Sequence, residues 1–290
     1  MRTRTLLPLM AATLAAACAA WSSPAAAQEG AAPLRASYEK LAPGLANSPF
    51  GRPMVLTSAE TANGLKGEVY GVLDRPLADV AGVLDKTTQW CDMLMVHLNN
   101  RGCRASDANK TLVLSVVQRY DIPAEQASDL TFQHRVASAA ADYFDATLSS
   151  GKGPYGTSNY RISLQGIPLD NGKSFVHFSY SYDQGAATGA AAKAYLATMS
   201  RGKVGFTVVG KNKSGEPVLV DGMLGLIERN AMRYFLAVDA YTAAPDAFEK
   251  RLALWHAATQ KYPRQLDDHT EANYLKFKRE DLQRQGQPRS

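Results

Sequence analysis

Five consecutive segments rich in β-branched and aromatic residues, followed by one long amphipathic helix, constrain the fold of this chain more than any other feature. The five segments are residues 111–120, 129–140, 142–150, 159–169 and 174–183. Such residues fit the half-buried, pleated surface of a β-strand. Asn171 and Gly172 stand between the last two segments and tolerate the positive φ angles of a tight hairpin turn. The pattern therefore predicts sequential strands that pair antiparallel.

The long helix is expected at residues 221–241. Its apolar residues recur at steps of three and four, which places them on one stripe of the helix. That stripe consists of Leu224, Ile227, Ala231, Tyr234, Val238 and Tyr241. Asp221 is placed to cap the start, and Pro245 ends the segment because proline cannot continue the hydrogen-bond ladder. A sheet must bury one face, so the sequence predicts an α+β fold in which a curved antiparallel sheet grips this C-terminal helix.

Weaker patterns surround this core. Residues 66–74 alternate like a strand, and residues 75–94 carry a helical stripe. A short helix is expected at residues 189–201, and a second hairpin is expected around Ser214 and Gly215. These elements place a strand and a helix before the main strand series and a hairpin before the long helix.

The chain beyond the long helix is expected to form an additional helical tail. Helical patterns cover residues 246–262 and 269–285. Asp268 and Glu271 stand at the spacing of a capping box, which would start the second of these helices. The charges of this region are mixed in sign, so we expect them to lie on a solvated face.

The N-terminus has the three parts of an export signal. Arg2 and Arg4 form a positive region, residues 6–20 are apolar, and residues 25–27 are the small residues of a cleavage site. Residues 1–27 are therefore a predicted signal peptide. The protein is expected to be periplasmic or secreted.

Lipidation at Cys18 is an alternative to this cleavage. Residues 15–17 before it are alanines, and the leucine of the segment lies one place too early for a good lipidation motif. The alternative is therefore disfavoured but stays open. No later stretch has about 18 consecutive apolar residues, so we expect no membrane span in the mature chain.

These patterns divide the chain into four parts. Residues 1–27 are the signal peptide, and residues 28–52 are a leader with one short helix around residues 38–41. Residues 53–244 form the sheet-and-helix domain, and residues 245–290 form the helical tail. The leader is rich in alanine, proline and glycine, so it is expected to lack sustained periodicity.

Charge and motifs exclude several classes of function. Removal of Arg2 and Arg4 with the signal lowers the formal net charge from +5 to +3, and the remaining charges are scattered. A nucleic-acid-binding protein concentrates its positive charge, so no nucleic-acid partner is expected. Histidines and cysteines lack the spacing of a zinc site, and nucleotide, hydrolase and dinucleotide motifs are missing. No metal site or cofactor is predicted.

Cys91 and Cys103 are the two cysteines of the mature chain. An even number of thiols in an exported protein indicates a disulfide, because the compartment is oxidising. Two unpaired buried thiols are the alternative. A disulfide that closes so short a loop is expected to contribute about 3 kcal/mol to stability.

A resemblance to a known superfamily rests on several segments. "GEVYGVLDRPLADVAGVLDKTTQWCDML" resembles the opening strand and helix of START-like, helix-grip proteins, in which a proline opens a helix that ends near a tryptophan. "GPYGTSNYRISL", "FVHFSYSY", "KVGFTVVG" and "GLIERNAMRYFLAVDAY" resemble segments of uncharacterised exported bacterial proteins with a START-like domain. The resemblance covers residues 65–242 and implies a cavity between sheet and helix. The long leader and the tail depart from a minimal START-like domain, which leaves partner and oligomeric roles open.

The middle of the long helix carries Glu228, Arg229 and Arg233 beside its apolar stripe. A buried charge needs a partner, so one hypothesis pairs these residues with each other or with Asp142 or Asp145. The other hypothesis makes Arg229 or Arg233 the anchor of an anionic ligand head, since guanidinium binds carboxylate or phosphate through two parallel hydrogen bonds. Arg229 is the preferred ligand anchor of the two.

His177 and Tyr180 lie in the strand predicted at residues 174–183. Alternation puts His177 on the face of Phe175 and Ser179, and puts Tyr180 on the opposite, aromatic face. His177 is an interstrand or surface histidine, a polar group of a cavity, or a general base. The candidate ligand-binding residues are therefore Arg229, Arg233, Glu228, His177 and Tyr180.

The function most favoured by this combination is non-catalytic binding or carriage of a hydrophobic small molecule or lipid in a helix-grip cavity. This step follows the resemblance, because fold alone does not fix function. A cyclase- or hydrolase-type START-like enzyme is an alternative and would need His177, Tyr180 and Glu228 to converge. An envelope scaffold is a further alternative, with a peripheral membrane or envelope-protein contact made by the tail.

Overall fold

An eight-stranded antiparallel sheet is the centre of the molecule. The computed structural model describes residues 25–185, 189–190, 194 and 202–286. Within them the strands of this sheet are β1 (Met54–Glu60), β2 (Gly64–Leu73), β3 (Asn100–Ser106), β4 (Thr111–Val116), β5 (Ser128–Ala140), β6 (Tyr143–Lys152), β7 (Thr157–Leu169) and β8 (Lys173–Gln184). Their spatial order is β1-β2-β8-β7-β6-β5-β4-β3. The sheet is curved, and the predicted α+β, helix-grip architecture is confirmed.

The helices of the described chain pack around this sheet. They are α1 (Ala25–Ala46), α2 (Leu77–Gly82), α3 (Thr87–Leu94), α4 (Gly222–Ala243), α5 (Phe248–Thr259), α6 (Pro263–Leu266) and α7 (Glu271–Gln285). A separate hairpin consists of β9 (Val208–Lys211) and β10 (Pro217–Leu219). We call the sheet face against α4 the inner face, and the face against α1 the outer face.

The predicted strand series is correct, and its hairpin turn has the expected geometry. Asn171 has φ 63° and Gly172 has φ 70°, as a type I′ turn between β7 and β8 requires. Gly215 in the second predicted hairpin has φ 84°. β1 and β3 were not predicted. β3 has few β-branched residues, and it forms as an edge strand paired with β4.

α4 is the long predicted helix, and two glycines of β2 let it approach the sheet closely. A Cβ atom built on Gly67 would lie 3.0 Å from the Cβ of Ala231, and one on Gly71 would lie 2.5 Å from the ring of Phe235. Ala231, Phe235 and Ile227 are fully buried there. Asp221 stands at the N-cap as predicted, but its side chain makes no capping hydrogen bond.

The helical stripe predicted at residues 75–94 is divided into two helices. α2 ends at Gly82, and α3 begins after Lys86, whose backbone N–H donates to the Gln89 side chain at 2.9 Å. Cys91 of α3 and Cys103 of β3 form the predicted disulfide, with their Cα atoms 5.5 Å apart. The bridge holds α3 against the edge of the sheet.

The leader contains a much longer helix than predicted. α1 spans 22 residues and packs on the outer face, where Tyr38 contacts the Phe175 ring at 5.0 Å between centroids. Ala31, Leu34 and Leu45 are buried in this contact. Together with Tyr38 and Leu41 they repeat at helical spacing, so the periodicity exists and was obscured by the surrounding alanines and prolines.

The C-terminal tail packs into the same core as the sheet. Leu252, Trp255 and Tyr274 are fully or almost fully buried there. Thr270, rather than the predicted Asp268, caps α7 by accepting a hydrogen bond from the Asn273 backbone at 3.4 Å. The predicted division at residue 245 remains untested as a domain boundary.

Some predictions fall outside the described residues. They include most of the signal peptide, with Cys18, and most of the helix expected at residues 189–201. Within the described chain, none of the helices combines the length and the apolar character needed to cross a membrane.

Candidate ligand-binding site

A cavity of about 660 Å³ lies between the inner face and the N-terminal half of α4. Strands β4, β5, β7 and β8 form one wall, and α4 forms the opposite one. The turn between α3 and β3 and the turn at Pro154–Gly156 complete it. The wall residues used below are Leu114, Leu130, Phe132, Ile162, His97, Asn100, Tyr160, Tyr180, Tyr182, Met223, Leu226, Asn230 and Tyr234.

Four tyrosines give the cavity an aromatic wall. Tyr160 and Tyr182 stack with ring centroids 5.3 Å apart, and Tyr180 lies 5.8 Å from Tyr182 and 5.4 Å from Tyr234. Tyr180 and Tyr182 alternate with outward-facing residues of β8, so both reach the inner face. This arrangement offers ring surface for apolar contact and hydroxyl groups for hydrogen bonding.

The tyrosine hydroxyls differ in how they are satisfied. The Thr157 hydroxyl donates a hydrogen bond to the Pro154 carbonyl oxygen. Because a hydroxyl has only one hydrogen to donate, the Tyr160 hydroxyl must be the donor in its hydrogen bond to Thr157 Oγ1, 2.9 Å away. The hydroxyls of Tyr180 and Tyr182 have no hydrogen-bond partner among the residues that the structure describes. These two groups can therefore both donate and accept towards a bound molecule.

Burial keeps the cavity tyrosines protonated. It raises the pKa of Tyr180 well above 10, and it also raises the pKa of Tyr182. Burial raises the pKa of Tyr234 to about 12, with the Asn100 amide acting in the opposite direction. All three side chains are neutral hydrogen-bond donors at neutral pH.

His97 forms the inner end of the wall as a neutral imidazole. Its ring stacks on Tyr234 at 4.6 Å, and its Nδ1 accepts the backbone N–H of Asn99 at 3.1 Å. The proton must then lie on Nε2, which has no partner within the described chain. Burial lowers the pKa of His97 well below 6.5, and the positive charges of Arg233 and Lys278 act in the same direction.

Glu228 belongs to a different site from the cavity, on the side of α4 that faces the β9–β10 hairpin. Its fully buried carboxylate accepts hydrogen bonds from Ser58 Oγ at 2.8 Å, Phe206 N at 2.5 Å, and Thr207 N and Oγ1 at 3.0 and 2.6 Å. The prediction that Glu228, Arg229 and Arg233 pair with each other or with Asp142 or Asp145 is wrong for Glu228. Four donors from β1 and from the segment before β9 satisfy it instead.

The two arginines of α4 also lie outside the cavity lining. Arg233 pairs with Asp268 of the loop before α7, and Arg229 Nη1 donates to the Val204 carbonyl at 3.2 Å. Arg233 therefore forms an ion pair, as the structural hypothesis predicted. Its partner is Asp268 of the C-terminal tail and not Glu228, Asp142 or Asp145. Neither guanidinium is among the groups that line the cavity.

His177 lies on the outer face, as its alternation predicted. Its Nε2 is 2.8 Å from Glu68 Oε1, its Nδ1 is 3.2 Å from Gln165 Oε1, and its ring stacks on Tyr70 at 4.2 Å. Burial alone would raise the pKa of Glu68, but hydrogen bonds from His177 and Lys66 outweigh it and lower the pKa to about 2. This is an interstrand polar network, separated from the cavity by the sheet.

Of the five predicted ligand-binding residues, the structure brings only Tyr180 to the cavity. Sequence reasoning did not select His97, Asn100, Tyr160, Tyr182, Asn230 and Tyr234 as site residues. Tyr182 shares a strand face with Tyr180, and Tyr234 lies on the apolar stripe of α4. The alternation of the strand and the periodicity of the helix could therefore have identified both residues. His97 lies in a turn without periodicity and gave no signal. The described residues contain no group of three His, Cys, Asp or Glu side chains able to hold a metal ion.

Several solved structures match this chain at low identity and low TM-score. Norcoclaurine synthase from Thalictrum flavum is 9% identical with a TM-score of 0.33, over 51% of this chain and 82% of that one. The Zhui aromatase/cyclase from Streptomyces is 10% identical with a TM-score of 0.30, over 70% and 94%. Ara h 8.0201 is 9% identical with a TM-score of 0.33, over 66% and 99%. No protein-family model and no curated protein matches the chain.

These neighbours are START/Bet v1 helix-grip proteins, the superfamily that the sequence resembles. At such identities and TM-scores the likeness carries no argument about what this chain does. A function for this chain has to be argued from its own cavity.

Proposed function

We propose that this protein binds a hydrophobic small molecule or lipid in the cavity under α4, without catalysing a reaction. The observation that carries the proposal is the cavity itself. Its volume of about 660 Å³ lies within the range of small-molecule sites, roughly 300–1,000 Å³. Leu114, Leu130 and Ile162 supply apolar surface, and the tyrosines supply a few placed polar groups.

The arrangement of titratable residues favours binding over the enzyme alternative. That alternative needs His177, Tyr180 and Glu228 at one point. Tyr180 faces the cavity, whereas His177 is bonded to Glu68 on the outer face and Glu228 is bonded to Thr207. A converging acid and base from these residues is therefore not available to a molecule in the cavity.

Periplasmic or secreted localisation is part of the same proposal. It is supported by the export signal predicted at residues 1–27 and by the Cys91–Cys103 disulfide, which suits an oxidising compartment. Cell fractionation and N-terminal sequencing test it. A mature chain that begins at Gln28 in the periplasmic fraction is expected, and an uncleaved cytoplasmic chain would contradict this part of the proposal.

Binding is tested with N-phenyl-1-naphthylamine, a neutral apolar dye whose fluorescence rises in apolar sites. We expect saturable binding to the purified protein and a loss of at least tenfold in affinity in Leu226→Trp, which places an indole in the cavity. Leu254→Trp is the matched control, because Leu254 is 38% exposed on α5. Equal affinity in both variants, with both folded by circular dichroism, would refute binding in this cavity.

Native mass spectrometry of protein purified from its own periplasm is the complementary measurement. A co-purifying small molecule or lipid that is lost in Leu226→Trp would identify the natural ligand class.

A further inference from the structure

The cavity wall is uncharged wherever the structure describes it. Among the described lining residues, the titratable ones are His97 and the tyrosines, and burial keeps His97, Tyr180 and Tyr234 neutral at neutral pH by shifting their pKa values. Acidic and basic side chains are missing from that part of the wall. The charged residues of α4 next to lining residues are Arg229 and Arg233, and they bond to Val204 and Asp268 outside the lining. The charge of Arg233 still acts on the wall, where it helps to lower the pKa of His97 after the larger effect of burial.

The wall nevertheless carries polar side chains, and two hydroxyls of β8 are among them. Tyr180 and Tyr182 are 8% and 7% exposed, and neither hydroxyl has a protein partner among the described residues. Neither hydroxyl is a fully buried unpaired atom, so both border the open space of the cavity. A bound molecule that displaces water from them has to accept their hydrogen bonds to avoid a loss of free energy. The neighbouring Tyr160 hydroxyl already donates its hydrogen bond to Thr157. Among the tyrosine hydroxyls described above, the unpaired donors are thus those of Tyr180 and Tyr182, and His97 Nε2 is a further unpaired donor at the inner end of the wall.

We infer that the ligand is a neutral molecule with an oxygen acceptor that binds to the Tyr180–Tyr182 pair, and that the cavity discriminates against carboxylates. This inference rests on the proposed binding function. An ionised carboxylate that enters the cavity loses its hydration, and hydroxyl donors without a cation do not replace that hydration fully. An alcohol, ester or ketone loses far less and gains the same hydrogen bonds. The inference replaces the anionic ligand head expected from Arg229 by a neutral one.

Paired probes of equal chain length test this inference. We would measure displacement of N-phenyl-1-naphthylamine by 1-dodecanol and by dodecanoate at pH 8, where the acid is ionised. Dodecanol is expected to bind at least tenfold more tightly than dodecanoate. Dodecanoate that binds as tightly as dodecanol, or more tightly, would overturn the inference while leaving the binding function intact.

Two tyrosine variants locate the polar contact. The double variant Tyr180→Phe, Tyr182→Phe should weaken dodecanol binding by about two- to tenfold for each hydrogen bond lost, and should leave dye binding nearly unchanged. Tyr160→Phe is the matched control on the same wall, and a change below twofold is expected because its proton is already given to Thr157. Equal effects of Tyr160→Phe and the double variant would contradict the assignment of the pair.

A variant that should gain affinity for dodecanoate tests the inference without relying on a loss of binding. Asn230 is a half-buried lining residue of α4, and Asn230→Lys adds an ammonium group at the cavity. The preference should then shift towards dodecanoate by at least tenfold. An unchanged preference in a folded Asn230→Lys protein that still binds the dye would overturn the inference. If neither the dye nor either probe binds the unaltered protein, the proposed function itself fails.

Discussion

Two buried polar regions of this molecule differ in how completely their groups are paired. In the cavity wall, the hydroxyls of Tyr180 and Tyr182 lack partners among the described residues. Between α7 and β3, the fully buried carboxylate of Asp281 accepts hydrogen bonds from Arg101 Nε at 2.9 Å, from Lys278 Nζ at 3.1 Å and from Arg284. We call these four residues the Asp281 cluster.

Two of the three cations of the Asp281 cluster, Arg101 and Lys278, also donate to backbone carbonyls. Arg101 Nη1 donates to the carbonyls of Tyr120 and Ile122 at 3.1 and 2.8 Å, and Lys278 Nζ donates to the Asn100 carbonyl at 2.6 Å. A fully paired buried network fixes one packing arrangement, whereas a partly paired one leaves bonding capacity for a ligand. The comparison teaches that burial of polar groups does not mark a binding site, but incomplete pairing beside open space does.

The largest expected effect comes from removing the centre of the Asp281 cluster. Asp281→Ala leaves Arg101 and Lys278 buried without their carboxylate, so the free energy of unfolding should fall by about 3–5 kcal/mol. Urea denaturation measures this. Lys276→Ala is the matched control at an exposed position of α7, with an expected change within about 0.5 kcal/mol. Similar decreases in the free energy of unfolding in the two variants would show that the Asp281 cluster stabilises the fold no more than an exposed lysine does.

A smaller effect is expected when the paired arginine of α4 is removed. Arg233→Met leaves Asp268 with Lys203 as its remaining partner, at 3.2 Å, so stability should fall by about 1.5–3 kcal/mol, the range for a hydrogen bond to a charged group. Affinity for dodecanol should stay within twofold, because Arg233 is outside the cavity lining. Calorimetry and dye displacement on the same samples separate the two outcomes. A large loss of affinity without a loss of stability would restore Arg233 as a ligand anchor.

The smallest effect concerns pH. Burial lowers the pKa of Lys278 from 10.5 to about 8, although Asp281 acts in the opposite direction. Between pH 8 and 10.5 the unfolded chain therefore binds more protons at this lysine than the folded chain does, so stability from this group rises with pH. The free-energy cost of burying the charged ammonium group of Lys278 is fully present below pH 8. The rise cannot exceed about 1.4 kcal/mol per pH unit.

The change is measured as the difference in unfolding free energy between the unaltered protein and Lys278→Met, at pH 7.5, 8.5 and 9.5. The difference should shift in favour of the unaltered protein as pH increases. A difference that stays constant across this range would show that Lys278 keeps its proton in the folded state.

The local sequence pattern was enough to predict most strands of the sheet and the helix α4. The strands from β4 to β8 have β-branched and aromatic residues, and Asn171 and Gly172 define their last hairpin. Pattern failed for β3, which depends on pairing with β4, and for α1, whose stripe is hidden among alanines. Both elements are stabilised by contacts distant in sequence, which a local pattern does not contain.

The candidate site was less predictable than the fold. The charges at the middle of α4 lie beside an apolar stripe and so suggest a functional site, yet Glu228 and Arg233 are paired with Thr207 and with Asp268. Those partners lie far away in sequence or in loops without periodicity. The cavity instead depends on uncharged residues, such as Tyr182, that are ordinary members of a strand pattern.

Gly67 and Gly71 have a consequence for how ligand preference can change in this protein. These glycines set the closest approach of α4 to the sheet at Ala231 and Phe235, whereas the cavity is bounded by Met223, Leu226 and Asn230 nearer the start of the helix. The contact that fixes the position of the helix is therefore separate from the surface that meets the ligand. If the proposed binding function holds, substitutions at half-buried positions of the wall, such as Asn230, can change which molecule fits while the glycine contacts keep the helix in place.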